Sequence, residues 1–304
     1  LPSDNAPVNR AAAPYRPPSE HYENFPVASW LCPPALRPPI AAIYWFARTA
    51  DDIADEGDAA PAQRLADLAQ YRHDLAAATL GQAHSGRWPD VFDALTTMIA
   101  RFELPIALLV NLLDAFEQDV VFTAAGRRYQ TDLELHDYCR RSADPVGRLL
   151  LHLYGVHDPQ SLAQSDHICT ALQLINFWQD LRGDLARARW YPTLEQMTRH
   201  GVADADLRPD SGSDSARASA MMAAYAAAAH SMMLRGAPLA DRIPGRGGWE
   251  LRLVILGGLR ILEKMANMHY ATWRQRPCLG KHDLALLLWR ALRRNFPRQA
   301  EMPA

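Results

Sequence analysis

The segment from Ser161 to Ala186 constrains the fold more than any other stretch of the chain. At about 100° per residue, Leu172, Leu174, Ile175, Trp178, Leu181 and Leu185 cover most of its circumference as a helix. One narrow polar stripe remains, made by Gln173, Asn176, Asp180 and Asp184. A helix this apolar around its girth must be enclosed by other elements, and its stripe then needs partners. Helical periodicity also marks segments near 35–56, 62–80, 89–103, 105–124, 131–154, 216–236, 248–274 and 282–296, with breakers between them. Alternating strand patterns are nearly absent, and no fixed-period repeat marks a solenoid. The expected fold class is all-α, a helical bundle with a central cavity. The Pro-rich first twenty residues read as a disordered leader, and residues 21–304 as a single all-α domain.

A second stripe lies near the start. Tyr44, Arg48, Asp51 and Asp55 fall within roughly 60° of one another on a helix, with Asp52 beside them and Ile40, Ile43, Phe46, Ala47, Ala50 and Ile53 on the adjoining face. Asp51 and Asp55 repel at this spacing, and burial enlarges the cost unless a cation compensates. One acidic stripe alone reads as a solvated helix end. Two such stripes facing across a cavity would be a poor structure without metal. Oxygen donors without His or Cys point to Mg2+, with Mn2+ possible. Asp51, Asp52, Asp55, Asn176, Asp180 and Asp184 are the candidate ligands. Such an ion bridges carboxylates to phosphate, which suggests a metal-bound diphosphate held between two helices and released as a leaving group.

Charge and cysteine usage narrow the partners. A formal net charge of −2 gives no field toward nucleic acid. All but Lys264 and Lys281 of the 32 basic residues are arginine, the cation whose planar fork matches oxyanions. Cys32, Cys139, Cys169 and Cys278 form no CxxC pair, so a zinc site is not expected and a reduced, cytoplasmic setting is. No apolar signal core opens the sequence, no 18-residue apolar run is present, and no glycine-rich fingerprint suggests a nucleotide. Trp289, Leu292 and Phe296 beside Arg290, Arg293, Arg294 and Arg298 make 284–298 a candidate for peripheral membrane contact, or else a terminal helix docked on the bundle. Oligomeric state is not legible.

With these residues assembled, the chain resembles the squalene and phytoene synthase family over roughly residues 21–275. Arg48 to Asp55 matches that family's first acidic motif, and Asn176 to Asp184 its second. Tyr138-Cys139-Arg140-Arg141-Ser142-Ala143-Asp144-Pro145-Val146-Gly147 is similar to its YCxxVAxxVG helix, whose tyrosine lines the reaction cavity. His21-Tyr22-Glu23-Asn24-Phe25 resembles the flap that closes on diphosphate, and Arg189-Trp190-Tyr191-Pro192 the stretch after the second motif. The resemblance implies the all-α isoprenoid synthase fold and a prenyl diphosphate substrate.

More narrowly, it implies the branch that ionises presqualene diphosphate and quenches the rearranged cation with water to give hydroxysqualene. The alternatives are a sibling condensing two prenyl diphosphates and a non-catalytic helical scaffold. Site roles follow from the same motifs. Asp51, Asp55, Asn176, Asp180 and Asp184 act with Tyr138 in catalysis, and His21, Asn24, Phe25, Tyr44, Arg48, Gln173, Arg189 and Tyr191 bind substrate. Arg48 has a second reading as the ion-pair partner of Asp51 or Asp52, and Tyr44 and Tyr138 as packed core aromatics. Phe177 is a candidate cation-facing ring, whereas Trp178 points off the stripe and reads as core. This sequence departs from the family pattern at Glu23, Gln179, Gly183, Asp144-Pro145 and Gly257-Gly258.

Overall fold

A computed structural model describes residues 32–209, 215–293 and 296. The leader 1–20, and with it His21, Asn24 and Phe25, lies outside the described residues. Those described form eleven α-helices and no strand. These are α1 (Arg37–Asp55), α2 (Pro61–Thr79), α3 (Pro89–Phe102), α4 (Ile106–Ala125), α5 (Asp132–Ser142), α6 (Asp144–Leu153), α7 (Pro159–Ala186), α8 (Leu194–His200), α9 (Ala216–Gly236), α10 (Arg246–Asn267) and α11 (Lys281–Leu292). Proline occupies the first turn of α1, α2, α3, α6 and α7, where its fixed φ suits a helix and its missing N–H costs nothing. Asp158 caps α7 by accepting the Ser161 N–H at 3.0 Å, and Thr131 caps α5 through Glu134 N–H at 3.2 Å.

Among the described residues the buried apolar side chains form two large cores and a small one between α10 and α11. One joins the inner face of α7 to α5, α9 and α10, with Trp178 stacked on Tyr225 at 4.0 Å. The Ala/Met-rich face of α9, with Met221, Met222, Ala226, Ala229 and Met233 fully buried, packs along α7. The second core joins α1 to α4 and reaches Leu149 of α6. Helices α6 and α7 meet closely at Gly147, where a Cβ would run into Ser165 Oγ and Cys169 Sγ.

Three boundaries differ from the sequence reading. The expected helix over 131–154 is two, broken at Ala143 (φ −120°, ψ −50°). Pro145 causes this, since it has no N–H to donate back and its ring opposes the carbonyl four residues earlier. The expected helix to residue 274 stops at Asn267, where His269 and Tyr270 take left-handed φ of 53° and 58°. The seven-residue α8, capped by Thr193, is too short for periodicity to reveal.

Candidate active site

Helices α1 and α7 present their stripes to one cavity of about 650 Å3. Tyr44, Arg48, Asp51 and Asp55 line it from α1, and Gln173, Asn176, Asp180 and Asp184 from α7. Arg189, just beyond α7, clamps the Asp55 carboxylate with both terminal nitrogens, one at 2.6 Å. The C-terminal ends of the two helices therefore meet, and both acid pairs sit at that end. Each helix C-terminus carries partial negative charge of its own. The rest of the wall includes Ala47, Phe116, Leu172, Ile175, Ile261 and Leu279, so the same cavity offers charge and apolar surface.

The carboxylates are crowded. Burial raises Asp51, an effect opposed by Arg48, whose Nη1 lies 3.1 Å from it. Burial, with Asp180 adding repulsion, pushes Asp184 up to about 7 although Arg187 and Arg276 oppose the shift. Asp180 is gripped by Arg276, one contact being 3.2 Å. An approaching cation would oppose both shifts.

Asp119 of α4 and Glu56, which follows α1, bring the carboxylates of the lining to six among the described residues. Burial drives Asp119 to about 7, opposed by the Tyr138 hydroxyl and reinforced by Asp51 and Asp184. Tyr138 donates to Asp119 Oδ2 at 2.5 Å. Burial raises both Tyr138 and Tyr191 well above the usual phenol range, so both remain protonated donors. Tyr191 stacks on Phe177 at 3.6 Å with ring planes 10° apart, forming a flat aromatic pair on the wall.

Asp52 lies apart from the other expected ligands. It is buried, absent from the cavity lining, and paired with Arg48 Nη2 at 2.6 Å. Arg48 is paired within its helix to Asp51 and Asp52 and also lines the cavity. Trp178 is fully buried core. The sequence reading missed Asp119 and Arg276. Of the α4 carboxylates Asp114, Glu117 and Asp119, only Asp119 borders the Leu112 side of the face of Leu109, Leu112, Leu113 and Val120 that enters the core. Arg276 gave no signal, because it lies in an irregular segment. Gln179 Nε2 holds that segment by donating to the Pro277 carbonyl at 2.7 Å, which brings Arg276 onto Asp180.

Among the described residues no three His, Cys, Asp or Glu side chains form a ready-made ion cage. Two carboxylates per helix, one turn apart, fit an ion that completes its shell with water and phosphate oxygens.

Residues 19–283 match the family model described as squalene/phytoene synthase. A hydroxysqualene synthase of Zymomonas mobilis is 39% identical over 188 residues, 61% of this chain and 59% of that protein. A presqualene diphosphate synthase of Rhodopseudomonas palustris is 33% identical over 185 residues, 61% of this chain and 63% of that one. The chain thus spans about three-fifths of the length of the curated relatives it matches. The crystal structure of squalene synthase HpnC from Alicyclobacillus acidocaldarius superposes with a TM-score of 0.73 at 35% identity, covering 82% of this chain and 90% of that one. A dehydrosqualene synthase structure gives the same TM-score at 22% identity, covering 85% and 86%, and supports the fold alone.

Proposed function

The chain belongs to the squalene/phytoene synthase family, and from that premise we propose that it converts presqualene diphosphate to hydroxysqualene and diphosphate, in the branch leading toward squalene and hopanoids. The likeness to hydroxysqualene synthases and to squalene synthase HpnC supports the choice of branch. The observation that carries the reading is the joining of paired carboxylates, arginines and apolar wall in one cavity.

Asp51, Asp55, Asp180 and Asp184 would hold Mg2+ or Mn2+, with Asn176 as a further oxygen donor. When bound, the ion neutralises diphosphate oxygens as the carbon–oxygen bond breaks. Arg48, Arg189 and Arg276 already grip carboxylates, and the same fork geometry suits diphosphate. Gln173 and Asn176 orient the substrate from α7, and Tyr44 from α1. The stacked Phe177 and Tyr191 rings give the carbocation an electron-rich surface. The apolar wall excludes bulk water, so the cation rearranges before it is captured. No nucleotide is required.

On α11, Leu284, Leu288 and Leu292 are exposed at four-residue intervals beside exposed Trp289, and Arg293 lies 4.4 Å over the Trp289 ring. We read this face as a peripheral contact with anionic membrane, where a C30 product partitions. No helix among the described residues is long and apolar enough to cross a membrane.

The test is incubation with presqualene diphosphate and Mg2+ in 18O-enriched water. A C30 alcohol carrying the label is expected. No alcohol, or an alcohol without label, would overturn the reading.

A further inference from the structure

We propose that Ser142 is the residue that holds the capturing water. This rests on the water-quenching function proposed above and assigns it a specific side chain. Ser142 is the last residue of α5 and lies one turn beyond Tyr138, so the two share a helix face. Both line the cavity. The Tyr138 hydroxyl is committed to Asp119. The Ser142 Oγ is shielded from bulk solvent and has no hydrogen-bond partner in the protein.

That state is unusual for a helical serine, which ordinarily returns its proton to a carbonyl one turn back. A buried hydroxyl without a partner costs free energy, and it is retained here on the wall of the cavity. The hydroxyl can accept one hydrogen bond and donate another, as holding a single water requires. At this position the resembled YCxxVAxxVG pattern has valine, a larger, wholly apolar side chain that can hold no water.

The chemistry balances around that water. The substrate's C–O bonding pair leaves with diphosphate, creating the cation. A lone pair of the held water forms the new C–O bond, and one water proton passes to a diphosphate oxygen. Without a held water, the cation loses a proton from carbon to the same acceptor and yields a C30 hydrocarbon. Ser142 itself exchanges no covalent bond. It is a positioning residue that sets the partition between alcohol and hydrocarbon.

The experiment compares wild type with Ser142→Ala, Ser142→Val and Ser142→Thr on presqualene diphosphate and Mg2+, following diphosphate release and the alcohol-to-hydrocarbon ratio. Loss of one hydrogen bond should lower that ratio roughly five- to tenfold in Ala and Val, with diphosphate release within about threefold of wild type. The Thr variant, which keeps the hydroxyl, should retain the alcohol. An unchanged ratio in both Ala and Val overturns the assignment. So does a folded variant in which release and alcohol fall together, since that marks a role in ionisation. A wild-type protein that makes no alcohol defeats the underlying function instead, so the two failures are distinguishable.

Discussion

Tyr138→Phe tests whether the Tyr138–Asp119 pair exists as a buried, pH-dependent unit. The substitution removes one oxygen and leaves the ring, which lies 5.8 Å from Tyr129 and 6.1 Å from Phe177. Asp119 titrates near 7 in the folded protein, raised from 3.8 chiefly by burial. A carboxyl raised this way holds its proton in the native state after the unfolded chain has lost it. Its contribution to stability is therefore present below about pH 4 and is lost as pH rises through 7. At pH 8 the Tyr138 hydroxyl serves a charged carboxylate, and losing it costs about 1.5–3 kcal/mol. At pH 5 the carboxyl is neutral and the loss is about 0.5–1.5 kcal/mol. With about 2.1 cal/mol/K of unfolding entropy per residue over 304 residues, Tm should fall about 2–5 °C at pH 8 and about 1–2 °C at pH 5. Thermal denaturation of both proteins at the two pH values measures this. A loss equal or smaller at pH 8 would refute the pairing.

Other expected outcomes concern separate parts of the molecule. Asp51→Asn and Asp180→Asn should each slow Mg2+-dependent diphosphate release by about 100-fold or more while leaving helical circular dichroism intact; near wild-type turnover would remove the metal reading. Asp144, buried behind the site and accepting from Thr170 Oγ1 at 2.8 Å, is raised to about 7 by burial with Asp166 adding repulsion, and Arg148 and Arg140 opposing. Asp144→Asn keeps that acceptor, so urea denaturation should show it close to wild type at pH 4 and more stable at pH 8, by up to about 4 kcal/mol. No gain at pH 8 would mean the arginines compensate the charge fully. Leu288→Glu with Leu292→Glu should abolish flotation with anionic liposomes without altering Tm, and equal recovery would sink the membrane contact.

The two acidic stripes were legible in the sequence because each lies within one helix, where spacing alone sets direction. That the stripes face one cavity is a tertiary fact, carried by Arg189 reaching Asp55. Asp52 shows the limit of spacing arguments. It is 100° from Asp51, close enough to join either face, and Arg48 decided which. Asp119 escaped notice because α4 also carries Asp114 and Glu117, which pair with Arg72 away from the cavity, and spacing alone does not single out which carboxylate turns inward. Arg276 reaches Asp180 through a loop that only the Gln179–Pro277 hydrogen bond positions. The break at Ala143 was hidden for a different reason. Proline at a first helical turn is compatible with a helix that starts there as well as with one that is interrupted.

The central claim is best tested by offering farnesyl diphosphate and presqualene diphosphate in separate reactions with Mg2+ and no reductant, and identifying products by mass spectrometry. The account predicts a C30 alcohol from presqualene diphosphate and no C30 product from farnesyl diphosphate. Conversion of farnesyl diphosphate to a C30 diphosphate, with presqualene diphosphate left intact, would contradict it and place the chain among the condensing members of its family.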